Sequence, residues 1–221
     1  MSAGTAFVSP LQFTAGPVVS ALSAGSFEYT GINFNGTVVG NSAASRGTLI
    51  TEHFAIRTGS KTLTSNTAFQ SYLGGGTGGL VNGTLGVRAS TTYFFEASVY
   101  ITGMSATSGN INFSLIGLVG TATFTSLRYD TYGRDITNPA TASAVSGLSV
   151  TTSASGAPVA VVSTGTGLNL FVKGSFRINA AGTLCPSIAL TTAAAATIQA
   201  NSYFKCYPVG TNTVIFQGDW V

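Results

Sequence analysis

The stretch Leu168–Asn179 is written with a period of two. Leu168, Leu170, Val172, Phe176 and Ile178 share one phase, with Gly174 among them. Asn169, Phe171, Lys173, Ser175, Arg177 and Asn179 share the other. A helix gathers residues three and four apart, so it would scatter this apolar set around its axis. A strand sends alternate residues to opposite faces and keeps the set together. So long an alternating run specifies a half-buried antiparallel strand. The same writing recurs in Tyr93–Ile101, where Tyr93, Phe95, Ala97, Val99 and Ile101 oppose Phe94, Glu96, Ser98 and Tyr100. It recurs again where Ile111, Phe113 and Leu115 oppose Asn110, Asn112 and Ser114. Further strands are expected at Leu184–Leu190, Tyr203–Tyr207 and Thr213–Phe216, and Gly174 is expected to mark a bulge or bend.

Turn signals separate these runs. Asn35-Gly36 and Asn82-Gly83 suit tight hairpins, because both residue types tolerate positive φ. Gly74–Gly79 is a loop by composition. It contains Gly-x-Gly-x-x-Gly but has no buried parallel strand before it and no helix after it, so it is not a dinucleotide cradle. Thr137–Thr166 is rich in Ser, Thr, Ala and Gly and reads as a long excursion with short edge pairing. The one helix-like run is Thr191–Ala196. Many short strands with Gly-rich turns predict an all-β chain. The expected architecture is an antiparallel jelly-roll-like β-sandwich over residues 61–221. Residues 1–60, interrupted by Pro10 and Pro17, read as an N-terminal extended arm or small β-unit serving attachment.

Charge is scarce: charged residues make up 7% of the chain, where soluble domains carry about a quarter. A lone soluble domain keeps itself dispersed with surface charge. This chain relies on neutral hydroxyls and amides, or hides surface in an assembly. The nine Lys and Arg against six acids are scattered singly along the sequence. A nucleic-acid footprint needs clustered cations, so none is expected as a partner. No apolar run approaches the ~20 residues of a membrane span, and no basic start precedes an apolar core, so neither membrane insertion nor a secretory leader is expected.

Catalytic and metal chemistry find little support. The single histidine, His53, has Glu52 beside it, and neighbours in a strand point to opposite faces. One His and two Cys fall short of a zinc site, and no cofactor or metal is expected. The densest charged and aromatic cluster is Arg128-Tyr129-Asp130-Thr131-Tyr132-Gly133-Arg134-Asp135. Arg128, Tyr129, Asp130, Tyr132, Arg134 and Asp135 form a candidate ligand loop, able to stack a saccharide on tyrosine. The plainer reading is a loop with two local ion pairs. Cys185 and Cys206 read as packing residues.

Pro10-Leu11-Gln12-Phe13-Thr14-Ala15-Gly16 followed by Ala24-Gly25-Ser26-Phe27-Glu28-Tyr29-Thr30-Gly31 resembles a segment that recurs in bacteriophage virion and tail-fibre proteins. So do Tyr93-Phe94-Phe95-Glu96-Ala97, the turn Ser105–Asn110 with the strand after it, and the run Phe176–Pro186. Ala200-Asn201-Ser202-Tyr203-Phe204 resembles an Ala-Gly-Ser-x-Phe element, with Asn201 in the place of Gly. The resemblance covers most of the chain except 137–166, and the order of the segments is its best support. It implies a homotrimeric virion surface protein with a tumour-necrosis-factor-like or C1q-like jelly roll and no catalytic set. A phage protein assembles in a reducing cytosol, so both thiols are expected free.

The expected function is that of a non-enzymatic virion structural protein, either a short tail fibre or tip for host attachment or a capsid decoration or head-fibre protein. A carbohydrate-binding module is a further reading, with a host-surface glycan as partner. Pro10, Leu11, Phe13, Gly16, Phe27, Glu28 and Tyr29 are the candidate attachment segment, meeting another virion protein. Phe94, Tyr100 and Phe171 lie opposite the core phase and are the candidate subunit interface; the alternative is cover by local loops.

Overall fold

The computed structural model describes residues 15, 27–29, 34–39, 44–49, 52–75, 83–105, 111–117, 119–136, 142–150, 159–161 and 166–213. The strands, in chain order, are β1 (Phe27–Tyr29), β2 (Phe34–Val39), β3 (Ala44–Leu49), β4 (His53–Ile56), β5 (Lys61–Thr62), β6 (Gln70–Ser71), β7 (Leu85–Val87), β8 (Thr91–Thr102) and β9 (Ile111–Ser114). They continue with β10 (Thr123–Asp135), β11 (Ala142–Val150), β12 (Val159–Val161), β13 (Gly167–Ala180), β14 (Gly182–Leu184), β15 (Ser187–Leu190), β16 (Thr197–Ile198) and β17 (Tyr203–Thr211).

The fold is an all-β sandwich of antiparallel sheets. The large sheet runs β11-β10-β13-β8, and the far edge of β8 is shared. β17 pairs with its Thr91–Ser98 portion and β16 with Ile101 and Thr102. β4 extends the sheet beyond β17, and β5 extends it beyond β16. The smaller sheet runs β12-β9-β15-β6, β14 pairs with β7, and β1-β2-β3 form a separate three-stranded sheet. Leu168, Leu170, Val172, Phe176 and Ile178 are all buried, as are Tyr93, Phe95, Ala97, Val99 and Ile101, so the alternation of β13 and β8 sets the core face as read from the sequence.

Aromatic rings bind the two layers. Phe176 stacks on Tyr93 at 5.0 Å and meets Phe95 at 5.7 Å and Phe124 at 5.8 Å between centroids. Tyr129 of the large sheet meets Phe113 of the small one edge-on at 5.8 Å, a favoured aromatic geometry. Its hydroxyl donates to the Phe113 carbonyl at 3.3 Å, so its polar end is satisfied inside the core.

Several local expectations are corrected. Gly174 sits in unbroken register between Tyr129 and Phe95. A Cβ there would lie 2.6 Å from Tyr129 Cα, so this glycine permits close approach of β10 and β13. The register shifts of that pair fall at Thr123–Ser126 instead. Asn35-Gly36 lies inside β2, paired on both sides, where a hairpin was expected. Gly83 has φ 62, in the left-handed region; its neighbour Asn82 lies outside the described residues. Thr191–Ala196 forms no helix, because Ala196 enters the core just ahead of the strand β16. Pro186 divides the expected Leu184–Leu190 strand into β14 and β15. The low-complexity stretch supplies β11, which pairs with β10 from Leu127 to Arg134, and β12 at the edge of the small sheet. Residues 214–216 of the strand expected at Thr213–Phe216 lie outside the described residues.

The boundary expected at residue 60 falls inside the sandwich. β4 hydrogen-bonds to β17, with His53, Phe54, Ala55 and Ile56 opposite Cys206, Lys205, Phe204 and Tyr203. Arg57, next in the chain, is fully buried. Its guanidinium donates to the carbonyls of Gly59, Ser60, Tyr72 and Gly75 at 3.0–3.2 Å. Lys61 Nζ donates to Ser71 and Gly74 carbonyls at 2.7 and 2.6 Å. Two cations thus hold the 71–75 turn through its backbone. Burial pulls both below their ordinary pKa values, and for Lys61 the charge of Arg57 adds to the effect. The Arg57 carbonyl accepts from Asn201 N at 2.8 Å. Asn201 has φ 68, the left-handed conformation that asparagine tolerates better than most residues.

Candidate functional site

The surface that stands out is the outer face of the large sheet. Among the described residues, eight large hydrophobic side chains are exposed, and six of them lie here: Phe54, Ile56, Phe94, Tyr100, Tyr132 and Phe171. The sequence expectation for Phe94, Tyr100 and Phe171 concerned a face opposite the core, and the three are 47%, 38% and 41% exposed on that face, with no loop over them among the described residues.

The Arg128–Asp135 cluster is corrected in form. It is not a loop but the second half of β10, paired on both sides. Its alternation splits the candidate residues. Tyr129 and Asp135 turn inward and are buried, while Arg128, Asp130, Tyr132 and Arg134 face out. The signal was present in the sequence, since Leu127, Tyr129 and Thr131 keep period two, but the Asp, Gly and Arg residues read as turn chemistry.

Strand register aligns these residues with those of β13, β8 and β17 in rows across the sheet. One row is Arg128, Ser175, Phe94, Tyr207. The next is Asp130, Lys173, Glu96, Lys205, with Phe54 of β4 beyond. The third is Tyr132, Phe171, Ser98, Tyr203, with Ile56 beyond. The last is Arg134, Asn169, Tyr100. The central row alternates in charge from strand to strand. Within it Lys205 Nζ lies 3.7 Å from Glu96. The Tyr203 hydroxyl also donates to Glu96 in a short hydrogen bond. Burial, reinforced by that bond, pushes the Tyr203 hydroxyl up to about 12.

Small residues make the face uneven. Ser175 stands between Arg128 and Phe94 and floors a depression of about 390 Å³, walled by Phe94, Arg128, Lys173, Lys205 and Tyr207. Ser98 is almost covered, at 7% exposure, between the larger Phe171 and Tyr203, and its hydroxyl meets Asn169 Oδ1 at 3.2 Å. Among the described side chains, five cations reach this face: Arg128, Arg134, Lys173, Arg177 and Lys205. They are scattered in sequence and gathered only by the sheet.

Other candidate residues lie elsewhere. Pro10, Leu11, Phe13 and Gly16 lie outside the described residues. Phe27, Glu28 and Tyr29 form β1; Phe27 is exposed, and Tyr29 stacks on Phe34 at 4.6 Å. Tyr29 and Phe34 also line a cleft of about 280 Å³ with His53, Arg88, Tyr93 and Pro208. His53 is exposed. Cys185 and Cys206 are free and buried, and burial, then Glu52, pushes the Cys206 thiol up to about 12. Among the described residues no three His, Cys, Asp or Glu side chains are placed to share a metal ion.

No family model and no curated protein matches the chain. Among solved structures, a chain from "Structure of infectious bursal disease virus Gt strain" is similar at TM-score 0.17 and 9% identity, over 94% of this chain. That likeness is too slight for any argument to rest on, and this chain spans 55% of the other's length.

Proposed function

We propose that this chain is a non-enzymatic structural protein of a bacteriophage virion. It is held to the particle by its N-terminal segment and displays the sandwich, as an assembly of copies of itself, for host attachment. The observation that carries the reading is the outer face of the large sheet, where six large hydrophobic side chains stand exposed around a row of charges. Exposed apolar groups rimmed by polar residues mark interaction surfaces, and this chain has little charge elsewhere to keep it dispersed. The ordered segments similar to virion and tail-fibre proteins supply the particle; they also imply three copies.

The test is mass spectrometry of purified particles with counting of copies. A few copies per particle support a tail fibre or tip; many support capsid decoration, the second reading. Absence from particles overturns both. A chain starting at residue 52 keeps β4 and Arg57, and on this reading it folds yet fails to join particles.

A further inference from the structure

We infer that the outer face of the large sheet pairs with the same face of a second copy about a two-fold axis. The axis runs along the strands, between β13 and β8. This rests on the reading above for the idea that the face is covered, and departs from it in copy number, which the pairing makes even.

Strand register supports this pairing. A two-fold contact brings one patch against itself, so the patch must be self-complementary; a three-fold contact joins two different patches. Rotation about this axis exchanges β13 with β8 and β10 with β17. In the central row it sets Lys173 against the partner's Glu96, and Asp130 against the partner's Lys205. A row alternating in charge over an even number of strands is complementary to its own reverse, and every facing pair here is of opposite sign.

The flanking rows follow the same operation. Phe94 faces the partner's Ser175, entering the depression that this serine floors. Phe171 faces the partner's Ser98. On the two central strands each ring thus meets a small residue, as interdigitating sheets require, while on the outer strands Tyr132 faces the partner's Tyr203. Arg128 faces the partner's Tyr207, a cation over an aromatic ring. The four central strands at ~4.8 Å spacing, over about seven residues of ~3.4 Å, give a contact on the order of 1,000 Å² counting both copies. That lies below the ~1,200 Å² at which standard-size interfaces begin, in the range of weaker contacts, so the fit of the rows decides the pairing.

A single-stranded nucleic acid is the competing occupant, because cations and aromatic rings on a sheet face also suit stacked bases. Asp130 and Glu96 stand in the central row and repel a phosphate chain, whereas a second copy uses both.

Light scattering on the full chain should give twice 22.3 kDa or an even multiple. Phe94→Asp should halve the mass while circular dichroism retains the strand signal. Asp130→Cys and Lys205→Cys chains, co-expressed, should join through a bismaleimide spanning about 10 Å, the distance between packed sheets. Neither variant alone should cross-link, because its own cysteines lie too far apart in the pair. A three-copy mass, equal cross-linking of the single variants, or a monomer that binds oligothymidine in a salt-dependent way each overturns the pairing. A paired protein absent from particles overturns only the virion reading.

Discussion

The two faces of the large sheet are built from the same strands and differ in almost everything else. On β13, Phe176 faces inward among Tyr93, Phe95 and Phe124, while Phe171 faces outward at 41% exposure. On β8, Phe95 and Phe94 are neighbours in sequence with the same opposition. The inner face is mostly apolar, and the hydroxyls of Tyr129 and Tyr93 on it meet backbone groups of Phe113 and Arg88. The outer face mixes rings with a row of charges. An apolar core needs only volume and hydrophobicity, whereas a surface that meets a partner needs pattern. On the proposed reading, aromatic residues on the two phases of a strand carry two different tasks, stability on one side and recognition on the other.

The sharpest way to break that comparison is to truncate one ring on each face of the same strand. Phe176→Ala should cost about 3–5 kcal/mol, since it leaves a cavity among three other rings. Phe171→Ala in the isolated chain should stay within about 0.5–1 kcal/mol, as surface changes do. Urea denaturation measures both, and equal losses would mean the outer face is structural.

Next in size is Arg57→Met. It leaves the carbonyls around the 71–75 turn without their charged donor, and hydrogen bonds to charged groups are worth about 1.5–3 kcal/mol each. A net loss of about 3 kcal/mol is expected. A chain starting at residue 61 should lose β4 and this clamp together and fail to fold, while one starting at residue 52 folds. Stable, native-like protein from the shorter chain would return the first sixty residues to the role of a detachable arm.

Alkaline pH separates the faces more gently. Cys206 on the inner face and Tyr203 on the outer are both held up at about 12, against ordinary values of 9.0 and 10.0. The folded state therefore keeps these protons longer than the unfolded chain does. Their contribution is complete below about pH 9 and is lost as the pH rises towards 12. Stability measured from pH 8 to 11.5 should fall. Cys206→Ala should flatten the slope from about pH 9, and Tyr203→Phe only above about pH 10. A slope unchanged by both would assign the effect to Tyr72 and Tyr93, which burial also raises.

The smallest effect is expected at the charged row. Lys205 and Glu96 are partly exposed, at 32% and 41%. Surface pairs contribute about 0–1 kcal/mol, so Lys205→Ala should barely move the unfolding midpoint. A large loss in the dilute, unassembled chain would make the row a prop of the sheet.

Much of the fold was legible, and for a definite reason. Period-two alternation depends only on neighbours along one strand, so β8 and β13 could be read with their faces assigned. Elements whose local chemistry argued against them could not. The Asp, Gly and Arg residues of Arg128–Asp135 read as a loop, yet the strand forms because β11 and β13 satisfy its backbone from both sides. Asn35-Gly36 read as a turn and is paired within β2 for the same kind of reason. Arg57 carried no motif at all; its burial depends on carbonyls of the 59–60 and 72–75 segments that only the folded chain brings together.

By itself the sequence determined the class of structure, the core phase of the long strands, and the presence of aromatic residues on the opposite phase. Side-chain alternation is a property of a single strand and needs no partner. Only the tertiary structure decided which residues became neighbours across strands. Asp130, Lys173, Glu96 and Lys205 are far apart in the chain and form one alternating row because hydrogen-bond register, set by packing of the core beneath, aligns four strands at those positions.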